Sequence, residues 1–259
     1  MTLAIAILFL TVLAAGWLVK FLPKDKPYFL KILLAFSGAY LFSITILHIL
    51  PDVLLSTNDP HEVGYYILAG FFLQLLLELF SEGIEHGHVH KHAHDKNTGY
   101  VPFMLLFSLI MHSFLEGSIL VEAGHGAAHA HDHSHEHAPL LGDNFYSVLV
   151  GIALHHIPAA VALMSVLIFR LGSFKKAFPY LFLFAIASPL GILFSNYIIL
   201  EQLQNTNLFM ILSGLVAGNF LHISTTILFE TSPDHRFNRN KVLATLAGAL
   251  LALAGDLVH

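Results

Sequence analysis

The chain has 259 residues, of which 56% are hydrophobic and 11% are charged, and its formal net charge is −5. The charged share is less than half of the roughly 25% that is usual in soluble domains, which argues against a soluble globular protein. The chain contains no cysteine, which excludes disulfide bonds and thiolate metal sites. The acidic balance gives no reason to expect a nucleic-acid partner.

The hydrophobic blocks predict an all-α integral membrane protein. Each block has roughly twenty residues, enough to cross about 30 Å of hydrocarbon as a helix, and none alternates like a barrel strand. The first block lacks a basic N-terminal region and a cleavage site before Lys20, so we interpret it as a span and not a signal peptide. We predict one transmembrane domain over residues 1–259 with eight spans, near 2–22, 30–55, 63–84, 100–122, 143–171, 176–200, 206–230 and 241–258.

The basic residues predict the orientation of these spans. All 12 lysines and arginines fall in or beside the first, third, fifth and seventh connections, which share one side of the membrane if there are eight spans. Positively charged residues are retained on the cytoplasmic side. We therefore expect both termini outside, in a multi-pass protein of a cell membrane, either the plasma membrane or an inner membrane.

Two connections are rich in histidine, and the chain has 19 histidines against 12 lysines and arginines. EHGHVHKHAHD at 85–95 belongs to a predicted cytoplasmic loop, 85–99, and GHGAAHAHDHSHEH at 124–137 belongs to a predicted external loop, 123–139. Histidine at every second position suits a tether that binds divalent cations. A solubilising tract and a pH-buffering tract are the alternatives.

Polar groups inside the fourth and fifth spans are the candidate functional residues. His112 and Glu116 lie one helical turn apart and therefore share a helix face. A carboxylate at this depth costs free energy unless it meets a partner, water or an ion. The pair is suited to bind zinc through nitrogen and oxygen, and a hydrogen bond between helices is the alternative.

His155 and His156 precede Pro158 in the fifth span, and this proline cannot donate to the carbonyl of Leu154. Adjacent histidines differ by about 100° around a helix, so only one of them faces a shared centre directly. His155 with the fourth-span pair would give three ligands, and water would complete a shell that an ion can leave.

Other polar residues give weaker indications. His48 and His222 are more simply interpreted as core histidines with hydrogen-bond partners. Glu78 and Glu82 share a face at the inner end of the third span, with Gln74 one turn above, and form either an exit route or an interfacial pair. Glycines expected to allow close helix packing are Gly70, Gly191, Gly214 and Gly218.

The motifs HSFLEG at 112–117 and HHIPAA at 155–160 resemble those of the ZIP family (the ZRT/IRT-like proteins) of divalent metal transporters. Eight spans, outer termini and a histidine-rich connection after the third span fit this resemblance. HILPD at 48–52, SPLGI at 188–192 and AGNFLHI at 217–223 are also similar to family stretches.

The resemblance implies an eight-helix ZIP-type bundle that takes up divalent metal, zinc most often, into the cytoplasm. It implies that His112, Glu116 and His155 are the transport-site ligands, and that Ser113 and His156 lie where the family often builds a second site. Ala159 stands where the family commonly has a bridging glutamate, and Ser113 stands where asparagine is frequent. We therefore expect one main ion, with His156 as an auxiliary ligand.

A membrane-embedded zinc hydrolase is the alternative from another class, in which the metal would activate water. The sequence HEVGY at 61–65 fails to complete an H-E-x-x-H motif, so we expect a protein that is not an enzyme. An efflux carrier of another fold would be expected to carry a large soluble metal-binding tail. The metal is expected as substrate and not as cofactor. The expected partners are divalent ions and the lipid bilayer, and small-residue helix faces leave a homodimer open.

Overall fold

The structure is a computed structural model that describes residues 1–21, 27–55, 57, 59–81, 101–121, 144–203, 205–229 and 239–256. Both histidine-rich tracts and Glu82 lie outside these residues, so the two loop assignments stay predictions. In the described part of the chain every regular element is helical, as the sequence predicted.

The described residues form eight helices, which match the eight predicted spans in order. Two of them contain a π-helical segment, which often marks a functional or strained part of a helix. The helices are α1 Thr2–Leu18; α2 Pro27–Ile44, continued through π-helical Thr45–Ile49 to Leu50–Leu55; α3 Pro60–Ser81; α4 Phe103–Ser118; α5 Phe145–Leu171; α6 Phe174–Leu193, continued by π-helical Phe194–Gln202; α7 Thr206–Phe229; and α8 Arg239–Asp256.

Five of these helices (α2, α3, α5, α6 and α7) are long and apolar enough to cross a membrane. The helices α1 and α4 are apolar but shorter, with 17 and 16 residues. A helix rises about 1.5 Å per residue, so each of these two covers about 25 Å, close to the thickness of the hydrocarbon core. The result is a multi-pass helical bundle, which confirms the predicted fold class.

The start of α3 shows why one predicted boundary was displaced. The prediction began this span at residue 63, whereas the helix begins at Pro60. The Asp59 carboxylate accepts hydrogen bonds from the backbone N–H of His61 at 3.0 Å and of Glu62 at 3.4 Å. Pro60 occupies the first helical position, where a missing N–H costs nothing. The cap therefore extends the helix beyond its apolar block.

Close backbone contact between α4 and α6 fixes the helix that carries the first two candidate ligands. A Cβ atom on Gly117 of α4 would overlap the backbone of Ser188, and one on Gly191 of α6 would overlap the carbonyl of Phe114. Only glycine permits two helices to approach this closely. The structure confirms the packing role predicted for Gly191.

The same packing joins α3 to α7. Gly70 of α3 faces the backbone of Leu215, and Gly218 of α7 faces the backbone of Ile67. A Cβ on Gly214 would meet the side chain of Tyr66. These contacts confirm the packing roles predicted for all three glycines, and they set the height of α7 beside the bundle interior.

Contacts at the helix ends bring the first, fifth and seventh connections to one end of the bundle, in agreement with the predicted grouping of these three. At one end, the Lys20 ammonium lies 3.8 Å from the centre of the Phe174 ring, which joins the first connection to the fifth. Asn240 donates to the Tyr28 hydroxyl at 2.7 Å, which joins the seventh connection to the start of α2. At the opposite end, Asn144, just before α5, donates to the carboxylate of Asp52 in the last segment of α2 at 3.3 Å.

Candidate metal centre

His112 and Glu116 lie in the interior of the bundle on one face of α4. Their side chains are 1% and 0% exposed. The Nε2 atom of His112 lies 3.3 Å from Oε1 of Glu116. The i, i+4 spacing therefore places an imidazole nitrogen beside a carboxylate oxygen in a region without access to bulk water.

His155 of α5 completes a group of three. One potential ligand atom from each of His112, Glu116 and His155 lies within 4.8 Å of the other two. The two imidazole rings meet edge to face, with centroids 5.7 Å apart. Zinc binds nitrogen and oxygen at about 2.0–2.2 Å, so tetrahedral ligand atoms lie about 3.4 Å apart. Small side-chain rotations would draw these three atoms onto one ion.

His156 reaches the same carboxylate from its other side. Its Nε2–H donates to Oε2 of Glu116 at 2.6 Å, and both side chains are fully buried. Glu116 thus lies between the imidazole of His112 on α4 and the imidazole of His156 on α5, with one ring beside each carboxylate oxygen. Because the nitrogen nearest the group already donates to Glu116, His156 would have to release that bond before it could bind a metal.

Hydroxyl groups occupy the space beside His156. Ser188 of α6 donates to the backbone carbonyl of Ser113 at 2.7 Å, and the two hydroxyl oxygens lie 3.2 Å apart. The Ser113 hydroxyl is also 3.4 Å from Nε2 of His156. Ala159 is buried within an apolar cluster. Neutral hydroxyls therefore lie beside His156, and Ala159 supplies no second carboxylate.

Asn219 of α7 is a contact of this group that sequence reasoning missed. Its amide nitrogen lies 3.2 Å from Nδ1 of His112, and the residue is 2% exposed. The stretch AGNFLHI that contains it carried the signal. The sequence does not show whether the asparagine or the histidine of this stretch faces α4, because that depends on how α7 is rotated about its axis.

His222 is part of a separate pair. Its Nε2 lies 2.7 Å from Oε2 of Glu78 on α3, and its ring packs edge to face on Phe71 with centroids 4.8 Å apart. His48 is buried in the π-helical segment of α2. Neither histidine belongs to the group around Glu116. The interpretation of His222 as a partnered histidine is therefore confirmed.

Comparison with known proteins agrees with this architecture. A family model described as ZIP zinc transporter matches residues 1–102 and 141–255. These segments include α5 with both of its histidines, whereas α4 lies between them. "Protein zntD" of Dictyostelium discoideum is 25% identical over an alignment of 184 residues, and the alignment covers 67% of this chain. The chain spans about a quarter of that relative's length, 24%.

Proposed function

Because this chain belongs to the ZIP zinc transporter family, we propose that it carries divalent transition-metal ions across a membrane, with zinc as the preferred ion and the cytoplasm as the destination. The family is one of transporters, and the metal is cargo. The observation that carries the proposal is the group of His112, Glu116 and His155, whose ligand atoms lie within 4.8 Å of one another inside the bundle.

The three donor atoms suit a zinc ion that must be bound and then released. Two imidazole nitrogens and one carboxylate oxygen are ligands that zinc accepts, and a water molecule would complete the tetrahedron. One carboxylate neutralises half of the dication's charge, so the ion is held less firmly than in a closed structural site. We assign His112, Glu116 and His155 as the ligands and His156 as an auxiliary ligand.

The direction of transport rests on the distribution of basic residues. In the proposed orientation the end joined by Lys20 and Phe174 faces the cytoplasm, and the end joined by Asp52 and Asn144 faces outward. Retention of positive charge on the cytoplasmic side supports this assignment. In this arrangement the tract at 124–137 gathers metal outside and the tract at 85–95 receives it inside.

Zinc flux into proteoliposomes tests the function. A zinc-sensitive dye inside the vesicles should report uptake by the wild-type protein, and manganese and iron should compete less well than zinc. His112→Ala should lower the initial rate at least about tenfold, because loss of groups that only support a ligand already costs about 10–100-fold in metal affinity. Ser213→Ala is the matched control, since the Ser213 hydroxyl is buried and donates to its own helix at 2.9 Å.

Two outcomes would contradict the proposal. Wild-type protein that binds zinc without moving it, and that hydrolyses a test substrate, would favour the hydrolase. His112→Ala transport equal to that of Ser213→Ala would remove His112 from the ligands.

The orientation has its own test, because the chain has no cysteine and one introduced at Ala130 would be unique. A membrane-impermeant thiol reagent should label it in intact cells. Labelling only after permeabilisation would reverse the proposed direction.

A further inference from the structure

The amide of Asn219 touches the ring nitrogen of His112 that faces away from Glu116. The amide nitrogen lies 3.2 Å from Nδ1, whereas Nε2 of the same ring lies 3.3 Å from Oε1 of Glu116. The amide and the carboxylate therefore contact opposite nitrogens of one buried imidazole.

The nitrogen that carries the hydrogen decides whether His112 can bind a metal. A neutral imidazole has one N–H and one nitrogen with a free lone pair, and only the second is a ligand. Nε2 is the atom beside Glu116, so a metal shared by the two residues requires the hydrogen on Nδ1. Metal-binding histidines generally meet this need by donating their other N–H to an oxygen.

Two buried atoms show what the amide lacks in its present rotation. Within the described residues, Oδ1 of Asn219 and Nε2 of His112 are buried and have no hydrogen-bond partner. If the amide nitrogen donates to Nδ1, the hydrogen of a neutral ring must lie on Nε2. Exchange of the amide oxygen and nitrogen, which have nearly the same shape, would pair Oδ1 with Nδ1–H and free the Nε2 lone pair.

The backbone around Asn219 is held firmly enough for this role. Gly218 packs against the backbone of Ile67 on α3, and Phe220 is completely buried in the core. The position of the amide beside His112 is therefore set by the helix packing on both sides, and rotation of the amide is the freedom that remains.

We propose that Asn219 is a positioning residue whose side-chain oxygen accepts Nδ1–H of His112 and so keeps Nε2 available for the transported ion. This inference rests on the proposed function, because it assumes that His112 is a ligand. Removal of the acceptor should weaken metal binding about 10–100-fold, the usual cost of losing such a partner.

Co²⁺ binding to the full-length protein in detergent separates the inference from the function. The Co²⁺ absorption band should saturate at about 10–100-fold higher concentration in Asn219→Leu, which has a similar volume and no acceptor. Asn219→Asp, which keeps an acceptor oxygen, should bind at least as tightly as wild type. Ser213→Ala on the same helix should behave as wild type.

The variants give distinguishable failures. Normal Co²⁺ binding by Asn219→Leu together with weak binding by His112→Ala would overturn the role of Asn219 and leave the ligand assignment intact. Normal binding by His112→Ala would overturn the ligand assignment itself. A loss of Co²⁺ affinity in Asn219→Asp equal to that in Asn219→Leu would also contradict the role of the side-chain oxygen as an acceptor.

A measurement on the unmutated protein tests the position of the hydrogen directly. Nitrogen-15 spectra of histidine-labelled, metal-free protein report which ring nitrogen carries the hydrogen, and the His112 signal is the one absent from His112→Ala. We expect the Nδ1–H form. The Nε2–H form in the wild-type protein would overturn the proposal.

Discussion

Replacement of Glu116 by glutamine should separate its charge from its shape. Three atoms within 4.8 Å of one another leave an ion at their centre no more than about 2.8 Å from each. At an effective dielectric constant of about 20, a carboxylate attracts a dication at that distance by about 12 kcal/mol before desolvation is counted. Desolvation opposes most of this attraction.

A lower limit for the net loss of metal affinity comes from substitutions that remove only a group supporting a ligand. Loss of a group that only supports a metal ligand costs up to about 100-fold in affinity. Loss of the charged ligand itself should cost at least as much, which corresponds to about 2.7 kcal/mol. This is about a quarter of the gross attraction, so desolvation can remove most of that attraction and the effect remains large.

The quantity to measure is the zinc concentration that gives half-maximal uptake into proteoliposomes. Glu116→Gln should raise it at least about 100-fold, whereas Glu116→Asp, which keeps the charge on a shorter side chain, should raise it less. The glutamine oxygen can still accept from His156, so elution of the variant as wild type on size exclusion should confirm that it is folded. Unchanged half-saturation in a folded Glu116→Gln protein would refute the assignment of Glu116 as a ligand.

Three further predictions concern packing and the tracts. Gly191→Leu should lose folded protein in detergent extracts, because its side chain would overlap the α4 backbone, whereas Gly64→Leu, where a Cβ meets nothing within 4 Å, should not; equal yields would contradict the close contact. Single and double replacements in the pair of His222 and Glu78 should show a coupling of about 0.5–3 kcal/mol in thermal stability, and additive effects would argue against the pair. Deletion of 85–95 should lower uptake at limiting zinc without abolishing it, and complete loss would assign that tract to the selective site.

Features that depend on a single helix could be predicted from the sequence. Block length and hydropathy predicted eight helices, because a segment that crosses a bilayer must satisfy its backbone N–H and C=O groups within itself. The spacing of His112 and Glu116 placed both on one face, because neighbours along a helix are fixed by 3.6 residues per turn. The predicted start of α3 was displaced because the cap depends on Asp59 and Pro60, which lie outside the apolar block.

Contacts between helices were decided by the tertiary structure. The sequence by itself determined that His112, Glu116 and the α5 histidines are polar groups inside apolar spans. Only the packing decided that His155 joins His112 while His156 reaches the other oxygen of Glu116, and that Asn219 contacts His112. Helical periodicity fixes where side chains point around their own axis, whereas their partners depend on the rotation and height of neighbouring helices, which glycine contacts between α4 and α6 and between α3 and α7 set.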